Sequence, residues 1–362
     1  MKKSLIALAV LAAAGAASAQ SSVTLFGIVD ATLQHGKGSI ANRTQLTHSG
    51  YNSSRLGFRG TEDLGGGLSA SFWLEAGVSN DTGEGQGVNG QLNNQAVGAF
   101  NPVTGANAPV RPGTQGLTFN RRSTVSLAGG FGEVRLGRDY TPQFWNLTVF
   151  DPFGTNGIGT TQTLGSIITG VTAVRASNSI GYFLPRNLGG FYGQAQYYLG
   201  ENLQNGAATE DDGRGYGLRV GYAAGPFNIA LAGSRTNYAT GNVRQNNIGG
   251  QWDFGVAKLQ AHVSRDRNGG TDGKGFLVGG LVPIGAGEIR LAYSQYEVDL
   301  AGDPRTRKLA VGYVHNLSKR TALYTTYARV KNNGGAAVAL GNASTGVNTS
   351  SSGFDFGVRH SF

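Results

Sequence analysis

The chain has 362 residues, no cysteine, 60 glycines and a formal net charge of +9. The absence of cysteine excludes a disulfide framework. Charged residues make up only 14% of the chain, and a basic balance is compatible with nucleic acid, an anionic surface or anionic solutes as partners.

Residues 1–19 have the features of a secretory signal peptide. Two lysines precede an apolar run at 5–14, and small residues at 17–19 form a cleavage site. The run is too short to span a bilayer, and no later stretch reaches the length of a spanning helix. We expect cleavage to leave a mature domain of residues 20–362. Without the two lysines this domain has 28 basic and 21 acidic residues, a net charge of about +7. An exported chain seldom meets nucleic acid, so anionic solutes or lipopolysaccharide phosphates are the expected partners.

Alternation of apolar with polar or small residues recurs along almost the whole chain. The last ten residues, GFDFGVRHSF, place Phe354, Phe356 and Val358 on one face of a strand and Asp355 on the other. About sixteen strands of roughly ten residues follow from this pattern, the length that a tilted strand needs to cross a bilayer. The predicted strands are 23–33, 51–60, 68–76, 117–127, 133–138, 175–184, 191–200, 214–224, 227–236, 244–254, 256–265, 275–284, 288–298, 307–316, 321–331 and 353–362.

The connections between these strands alternate between short turns, such as DFG and PIGAG, and longer loops. No soluble core can bury so many apolar faces, so the pattern favours an all-β fold, a transmembrane antiparallel β-barrel with lipid outside and water inside. Residues 80–113 are predicted to form a long loop. Residues 141–174 are rich in aromatic residues and glycine, and we expect them to fold into the lumen as a constriction loop. A soluble β-sandwich stays open, because alternation does not say which face is wet.

The sequence contains no motif that predicts catalysis or metal binding. There is no G-x-S-x-G motif, and NGGTDGKG lacks the spacing of a phosphate-binding loop. The five histidines lack metal-ligand spacing: His35, His48, His262, His315 and His360. We therefore expect no cofactor, no metal and no enzyme activity. An outer-membrane barrel enzyme, a substrate-specific channel and a structural or adhesive surface protein remain as alternatives.

Basic residues on the polar strand faces give a more specific indication. If the apolar residues face lipid, four arginines face the lumen: Arg55, Arg59, Arg122 and Arg175. Strand order places them on one arc, opposite the predicted constriction loop. One inward arginine can simply be solvated or paired with an acid, but several on one arc favour a basic wall and anion selectivity.

Acidic residues near the predicted constriction are few. Asp151 is the only acid within residues 141–174, and Glu75 lies on the polar face of a preceding strand. We expect these two carboxylates to form a weak negative pole opposite or beside the basic wall.

At these residues the chain resembles the general porins of the Gram-negative outer membrane, most closely the anion-selective porins of beta-proteobacteria. The resemblance covers essentially all of the mature chain. It rests on SSRLGFRGTEDLGGGL from Ser53, RRSTVSLAGGFGEVRLGRDY from Arg121, GYVHNLSKRTALY from Gly312 and GVRHSF from Gly357. It implies a homotrimer of sixteen-stranded barrels in the outer membrane, where we expect membrane lipid and lipopolysaccharide as partners. Each barrel would let small hydrophilic, preferably anionic, solutes diffuse through a pore narrowed by the third external loop.

The resemblance also assigns roles to particular residues. The basic cluster of the family corresponds to Arg55, the Arg121/Arg122 pair and Arg175, and strand parity favours Arg122 over Arg121. The terminal Phe362 matches the family's signal for barrel assembly. Many general porins carry a PEFGG-like acidic patch in the constriction loop, whereas this chain has DPFGTNGIG. This departure strengthens the expected preference for anions.

Overall fold

The computed structural model describes residues 22–88, 92–94, 100–101, 106–107, 116–164 and 170–362. The predicted signal peptide and most of the predicted loop 80–113 lie outside these residues. No helix in the described part is long and apolar enough to cross a membrane.

The elements in chain order are β1 (Ser22–Lys37), β2 (Arg43–His48), β3 (Arg55–Gly65), β4 (Leu68–Ser79), β5 (Glu84–Gly85), β6 (Phe100–Asn101), β7 (Ala106–Asn107), β8 (Arg122–Gly129), β9 (Gly132–Tyr140), α1 (Pro142–Val149), β10 (Arg175–Phe183), β11 (Phe191–Tyr198), β12 (Gly215–Ala224), β13 (Phe227–Thr236), β14 (Val243–Asp253), β15 (Lys258–Asn268), β16 (Thr271–Ile284), β17 (Gly287–Val298), β18 (Arg305–Asn316), β19 (Thr321–Asn333) and β20 (Ser350–Ser361).

Sixteen of the strands in the described residues close into one antiparallel barrel. Each barrel strand pairs with the next one along the chain, and β20 returns to pair with β1 from Ile28↔Ser361 to Lys37↔Ser352. The short strand β2 pairs with β1 beyond the stretch that pairs with β3, and β5 pairs with the end of β4. Closure removes the unpaired edges that an open sheet would expose. The predicted strand number and barrel fold are therefore confirmed.

The two faces of each strand differ as the alternation predicts. In β8, Val125 and Leu127 are 54% and 43% exposed, whereas Thr124 and Ser126 are each 5% exposed. In β20, Phe354 and Phe356 are exposed and Asp355 between them is buried. Apolar side chains thus cover the outside of the barrel, where lipid solvates them, and polar side chains line the inside.

The first external loop differs from the sequence prediction. The predicted strand 51–60 begins only at Arg55, because the carboxylate of Asp30 on β1 accepts hydrogen bonds from the backbone N–H groups of Tyr51 (2.8 Å) and Asn52 (2.6 Å). Ser54 also donates its hydroxyl to the Asp30 carbonyl oxygen (3.3 Å). These contacts fold the loop onto the inner side of β1 instead of extending β3.

A buried apolar cluster lies inside one half of the barrel. Phe153 and Ile158, between β9 and β10, pack against the inner faces of β16 to β19. The other members of this cluster are Leu277, Ala292, Ala310, Ala328 and Val330 on the wall strands and Leu340 in the loop between β19 and β20. A long loop therefore covers this half of the inner wall and leaves the opposite half to water.

Candidate pore constriction

The segment 141–174 is called the constriction loop below; its described residues, 141–164 and 170–174, fold into the barrel and begin with α1. Pro142 occupies the first turn of this helix, where its fixed φ and missing N–H are tolerated. The Asn146 side chain donates to the Ala230 carbonyl oxygen on β13 (2.8 Å), and Asn247 on β14 donates to the Gln143 carbonyl oxygen (3.1 Å). These hydrogen bonds hold the helix against the inner wall.

The second part of the constriction loop is anchored to strands further around the barrel. Gln260 on β15 donates to the Val149 carbonyl oxygen (2.8 Å). The His262 ring lies within hydrogen-bond distance of the hydroxyls of Thr161 (3.2 Å) and Thr163 (2.9 Å). The backbone N–H of Gln162 donates to Ser294 on β17 (3.1 Å). The predicted inward position of residues 141–174 is thus observed for the described residues of this loop.

The constriction loop also contacts the first external loop. Ser53 donates to the side-chain oxygen of Asn156 (2.8 Å). Gly157 has a φ of +62°, and a Cβ at this position would lie 2.1 Å from the Gly50 carbonyl oxygen. Only glycine accommodates both the backbone angle and the close approach. The two loops therefore form one inner layer.

Opposite the constriction loop, adjacent strands bring a group of charged side chains together. Glu75 on β4 is at its centre and is almost fully buried. Its carboxylate accepts from Arg121 Nε (2.6 Å), from Arg55 Nη1 (3.5 Å) and from the Trp73 indole N–H (3.1 Å). Glu75 therefore adjoins the predicted basic wall and neutralises part of its charge.

Tyr140, at the end of β9, joins this wall to the constriction loop. Its hydroxyl oxygen accepts from Arg121 Nη2 (2.7 Å) and from Arg175 Nη2 (3.0 Å). The Arg175 guanidinium also lies 4.5 Å from the centre of the Tyr140 ring. On the loop side, the ring stacks on Phe144 of α1 with a centroid distance of 5.0 Å. The position of two guanidinium groups is thus coupled to that of the helix.

Arg122 and Arg59 extend the wall around Trp73. The Arg122 guanidinium lies 4.6 Å from the centre of the Trp73 ring, and its Nε is 3.8 Å from Asp139. Arg59 lies 5.2 Å from the same ring and 5.3 Å from that of Phe26. An aromatic face attracts a cation while leaving the edge of the guanidinium free for another partner.

Both members of the Arg121/Arg122 pair belong to the charged group, although strand parity favours Arg122. The strand β8 begins at Arg122, so the alternation of faces does not apply to the residue before it. The backbone N–H of Arg121 donates to the Glu75 carbonyl oxygen (3.0 Å). This turn of the backbone brings the Arg121 side chain to the same carboxylate as Arg55.

The sequence predicts that Asp151 forms part of a negative pole at the opening, which requires an exposed carboxylate. The structure buries it instead. Its side chain is only 3% exposed, and its carboxylate accepts from the backbone N–H groups of Phe153 (2.9 Å), Thr155 (3.2 Å) and Thr161 (2.9 Å). Burial raises the pKa of this carboxyl above its usual range, against the opposing effect of the three donors and of the Lys308 charge. Asp151 thus holds the fold of the loop and presents little charge to the opening.

Several inward basic residues escaped the sequence prediction. Arg219 on β12 donates from Nε to Asn146 of α1 (2.8 Å). Arg290 and Arg359 both lie over the ring of Tyr51, at 4.4 and 5.2 Å. Lys308 on β18 is buried beside the constriction loop. Extending the strand parity beyond Arg175 would have found Arg219, which alternates with the exposed Leu218 and Val220.

Arginine outnumbers carboxylate on the wall formed by β3, β4, β8, β9 and β10. The inward arginines named on or beside these strands are Arg55, Arg59, Arg121, Arg122, Arg135 and Arg175. The acids that pair with them are Glu75, Glu133 and Asp139. Among these described residues, three positive charges are therefore left without a compensating carboxylate.

A closed barrel with an apolar outer surface, a polar interior and a loop folded inside defines a membrane-spanning pore. A model of the Gram-negative porin family matches residues 5–335 of the chain. The chain therefore belongs to the Gram-negative porins. It forms a channel of the outer membrane and is not an enzyme.

Individual relatives agree with this assignment. The chain is 40% identical to outer membrane porin protein 32 of Delftia acidovorans, with all of both chains covered. It is 30% identical to an outer membrane porin protein of Bordetella pertussis, over 92% of this chain and 95% of the relative. Among solved structures it is similar to an anion-selective porin from Comamonas acidovorans. The TM-score is 0.79 at 35% identity, with 95% of this chain and all of that chain covered.

Proposed function

We propose that this porin passes small hydrophilic solutes with a preference for anions, and that the constriction between the basic wall and the constriction loop sets this preference. The excess of arginine over carboxylate on that wall carries the proposal. Aligned guanidinium groups lower the electrostatic barrier for an anion and raise it for a cation. The similarity to an anion-selective porin also supports a preference for anions over cations.

The reversal potential of the purified protein in a planar bilayer tests this preference. Under a KCl gradient we expect a potential of the sign given by chloride permeation. We also expect the preference to weaken at high salt, because the Debye length falls from about 10 Å at 0.1 M to about 3 Å at 1 M. A cation-selective potential at low salt would contradict the proposal while leaving the channel itself in place.

We further propose that three copies assemble into a homotrimer in outer-membrane lipid and lipopolysaccharide, after removal of residues 1–19. The resemblance of the motifs to trimeric porins supports this assembly. In the same recordings, a trimer of independent pores should close in three equal conductance steps.

We also propose that Phe362 acts as the recognition signal for barrel assembly. Its backbone N–H and carbonyl oxygen exchange hydrogen bonds of 3.1 Å with Gly27 on β1. A Cβ at Gly27 would lie 2.4 Å from the Phe362 ring, so the ring covers this part of β1 closely. The residue therefore has a local packing contact in addition to the proposed signal.

Deleting Phe362 should separate these two contributions. We expect much less folded protein in the outer membrane of cells, whereas the purified variant should still fold in detergent, since it loses two backbone hydrogen bonds of about 1 kcal/mol each. Heat-dependent mobility in gel electrophoresis measures the folded fraction in both settings. Normal assembly in cells would rule out the signal, and equal losses in both settings would assign the effect to packing alone.

A further inference from the structure

Three arginines lie on the outer surface of the barrel, near the ends of adjacent strands that lead into the external loops. Arg235, Arg244 and Arg265 belong to β13, β14 and β15. They share the outer face with Leu231, Ile248 and Val263, all of which are exposed. The three arginines, called the arginine rim below, therefore stand directly above the apolar surface that contacts lipid.

Electrostatic repulsion between neighbouring arginines makes the arrangement of the arginine rim unfavourable when no ligand is bound. Arg235 lies directly opposite Arg244 in the strand register, and Arg244 lies opposite Arg267. Like charges at directly opposed positions destabilise a sheet. Arg267 is neutralised by Asp272, which accepts from it at 2.7 and 2.6 Å.

The arginines of the rim itself are not neutralised in this way. Among the described residues, none of the three has a carboxylate within ion-pair distance. Arg235 donates from Nε to the Asn237 side chain (3.1 Å), which carries no charge. The protein thus leaves this local positive charge for an external anion to compensate.

A groove of about 880 Å³ adjoins the arginine rim. Gly233 faces outward between Leu231 and Arg235, and a Cβ at this position would lie 2.6 Å from the side-chain oxygen of Asn246, which also lines the groove. The lining of the groove combines the arginine rim with apolar side chains from the same face: Tyr216, Leu218, Leu231, Ile248 and Val263. One surface therefore offers guanidinium groups at its external end and hydrocarbon contacts below them.

We propose that this groove binds a phosphorylated lipid of the outer leaflet, with the phosphate on the arginine rim and an acyl chain along the apolar residues. Guanidinium groups bind phosphate oxygens through paired, charge-assisted hydrogen bonds. A second copy of the same face cannot occupy the groove, because it would oppose three further arginines. The inference rests on the proposed contact of the barrel with outer-membrane lipid and lipopolysaccharide, and it is independent of the proposed ion preference.

Binding of defined lipids to the purified protein tests the proposal. The probes are bisphosphorylated lipid A, the same lipid after enzymatic removal of its phosphates, and inorganic phosphate, each measured by native mass spectrometry. We expect the phosphorylated lipid to bind about tenfold or more tightly than the dephosphorylated lipid. Equal binding of the two lipids would overturn the phosphate contact. Inorganic phosphate that binds as tightly as the lipid would overturn the role of the acyl chain.

Two variants connect this binding to the groove. In R235Q/R244Q/R265Q we expect the affinity for the phosphorylated lipid to fall about tenfold or more. In Gly233→Leu the charges remain but the groove is filled, and we expect a similar loss. The matched control is R55Q/R122Q/R175Q, which removes the same charge from the lumen and should bind lipid like the wild type. Unchanged lipid binding in both groove variants would overturn the assignment.

The channel recordings distinguish this proposal from the proposed ion preference. Normal conductance of the groove variants shows that they are folded, so that a loss of lipid binding reports on the groove. A failure of the predicted anion preference would leave the lipid measurements unaffected. A change in the number of copies per particle without bound lipid would assign the face to subunit contacts and overturn the lipid proposal.

Discussion

The triple variant R55Q/R122Q/R175Q should lose most of the preference for chloride. A unit charge at 4 Å from a permeating ion contributes about 1 kcal/mol in water and more where water is partly excluded. Arg55 and Arg122 share carboxylates with other arginines, whereas Arg175 interacts with the hydroxyl and ring of Tyr140. Allowing for partial compensation and screening, we expect the chloride to potassium permeability ratio to fall about tenfold or more.

Two comparisons make this result specific to the constriction. The variant R235Q/R244Q/R265Q removes three charges from the outer surface and should keep the reversal potential of the wild type. The variant R55K/R122K/R175K keeps the charges but loses the planar contacts with Trp73 and Tyr140, so it should retain the sign of the preference. An unchanged reversal potential in the glutamine variant would show that these arginines do not determine selectivity.

Replacing Asp151 with alanine should change the size of the pore more than its selectivity. The substitution leaves the backbone N–H groups of Phe153, Thr155 and Thr161 without their shared acceptor. Hydrogen bonds to a charged group contribute about 1.5–3 kcal/mol each, so the local cost is on the order of 5 kcal/mol. We expect a looser constriction loop, a larger mean single-channel conductance and more noise in the open state.

The variant Asp151→Asn is the control for this effect. It removes the charge but keeps one side-chain oxygen as an acceptor, so its conductance should lie between those of the wild type and Asp151→Ala. The recordings also decide between the two roles considered for this residue. A clear rise in anion preference at unchanged conductance would mean that Asp151 acts as an exposed negative pole, contrary to its buried position.

The basic wall and the constriction loop behave as one structural unit. Tyr140 accepts from Arg121 and Arg175 while its ring stacks on Phe144. On the other side of the barrel, the buried cluster around Phe153 fixes the same loop to the wall. A pore bounded by charged side chains requires such support, because a displaced guanidinium would alter both the width of the opening and its electrostatic field.

The sequence by itself determined the features that depend on strand periodicity. Alternation of apolar with polar or small residues predicted about sixteen strands and a lipid-facing outer surface, and it placed Arg55 and Arg122 inside. The predictions of strand number and outer surface are confirmed, because successive side chains in a strand must point to opposite faces, whatever the strand packs against. The same rule, applied to the later strands, would also have placed Arg219 in the lumen.

Only the tertiary structure decided what the inward side chains contact. Arg121 lies just before β8, where alternation does not operate, and it reaches Glu75 through the turn of the backbone. Asp151 is buried because three backbone N–H groups of its own loop surround it. The first external loop folds inward because Asp30 binds its backbone. Each of these positions depends on hydrogen bonds between segments whose relative placement no local periodicity encodes.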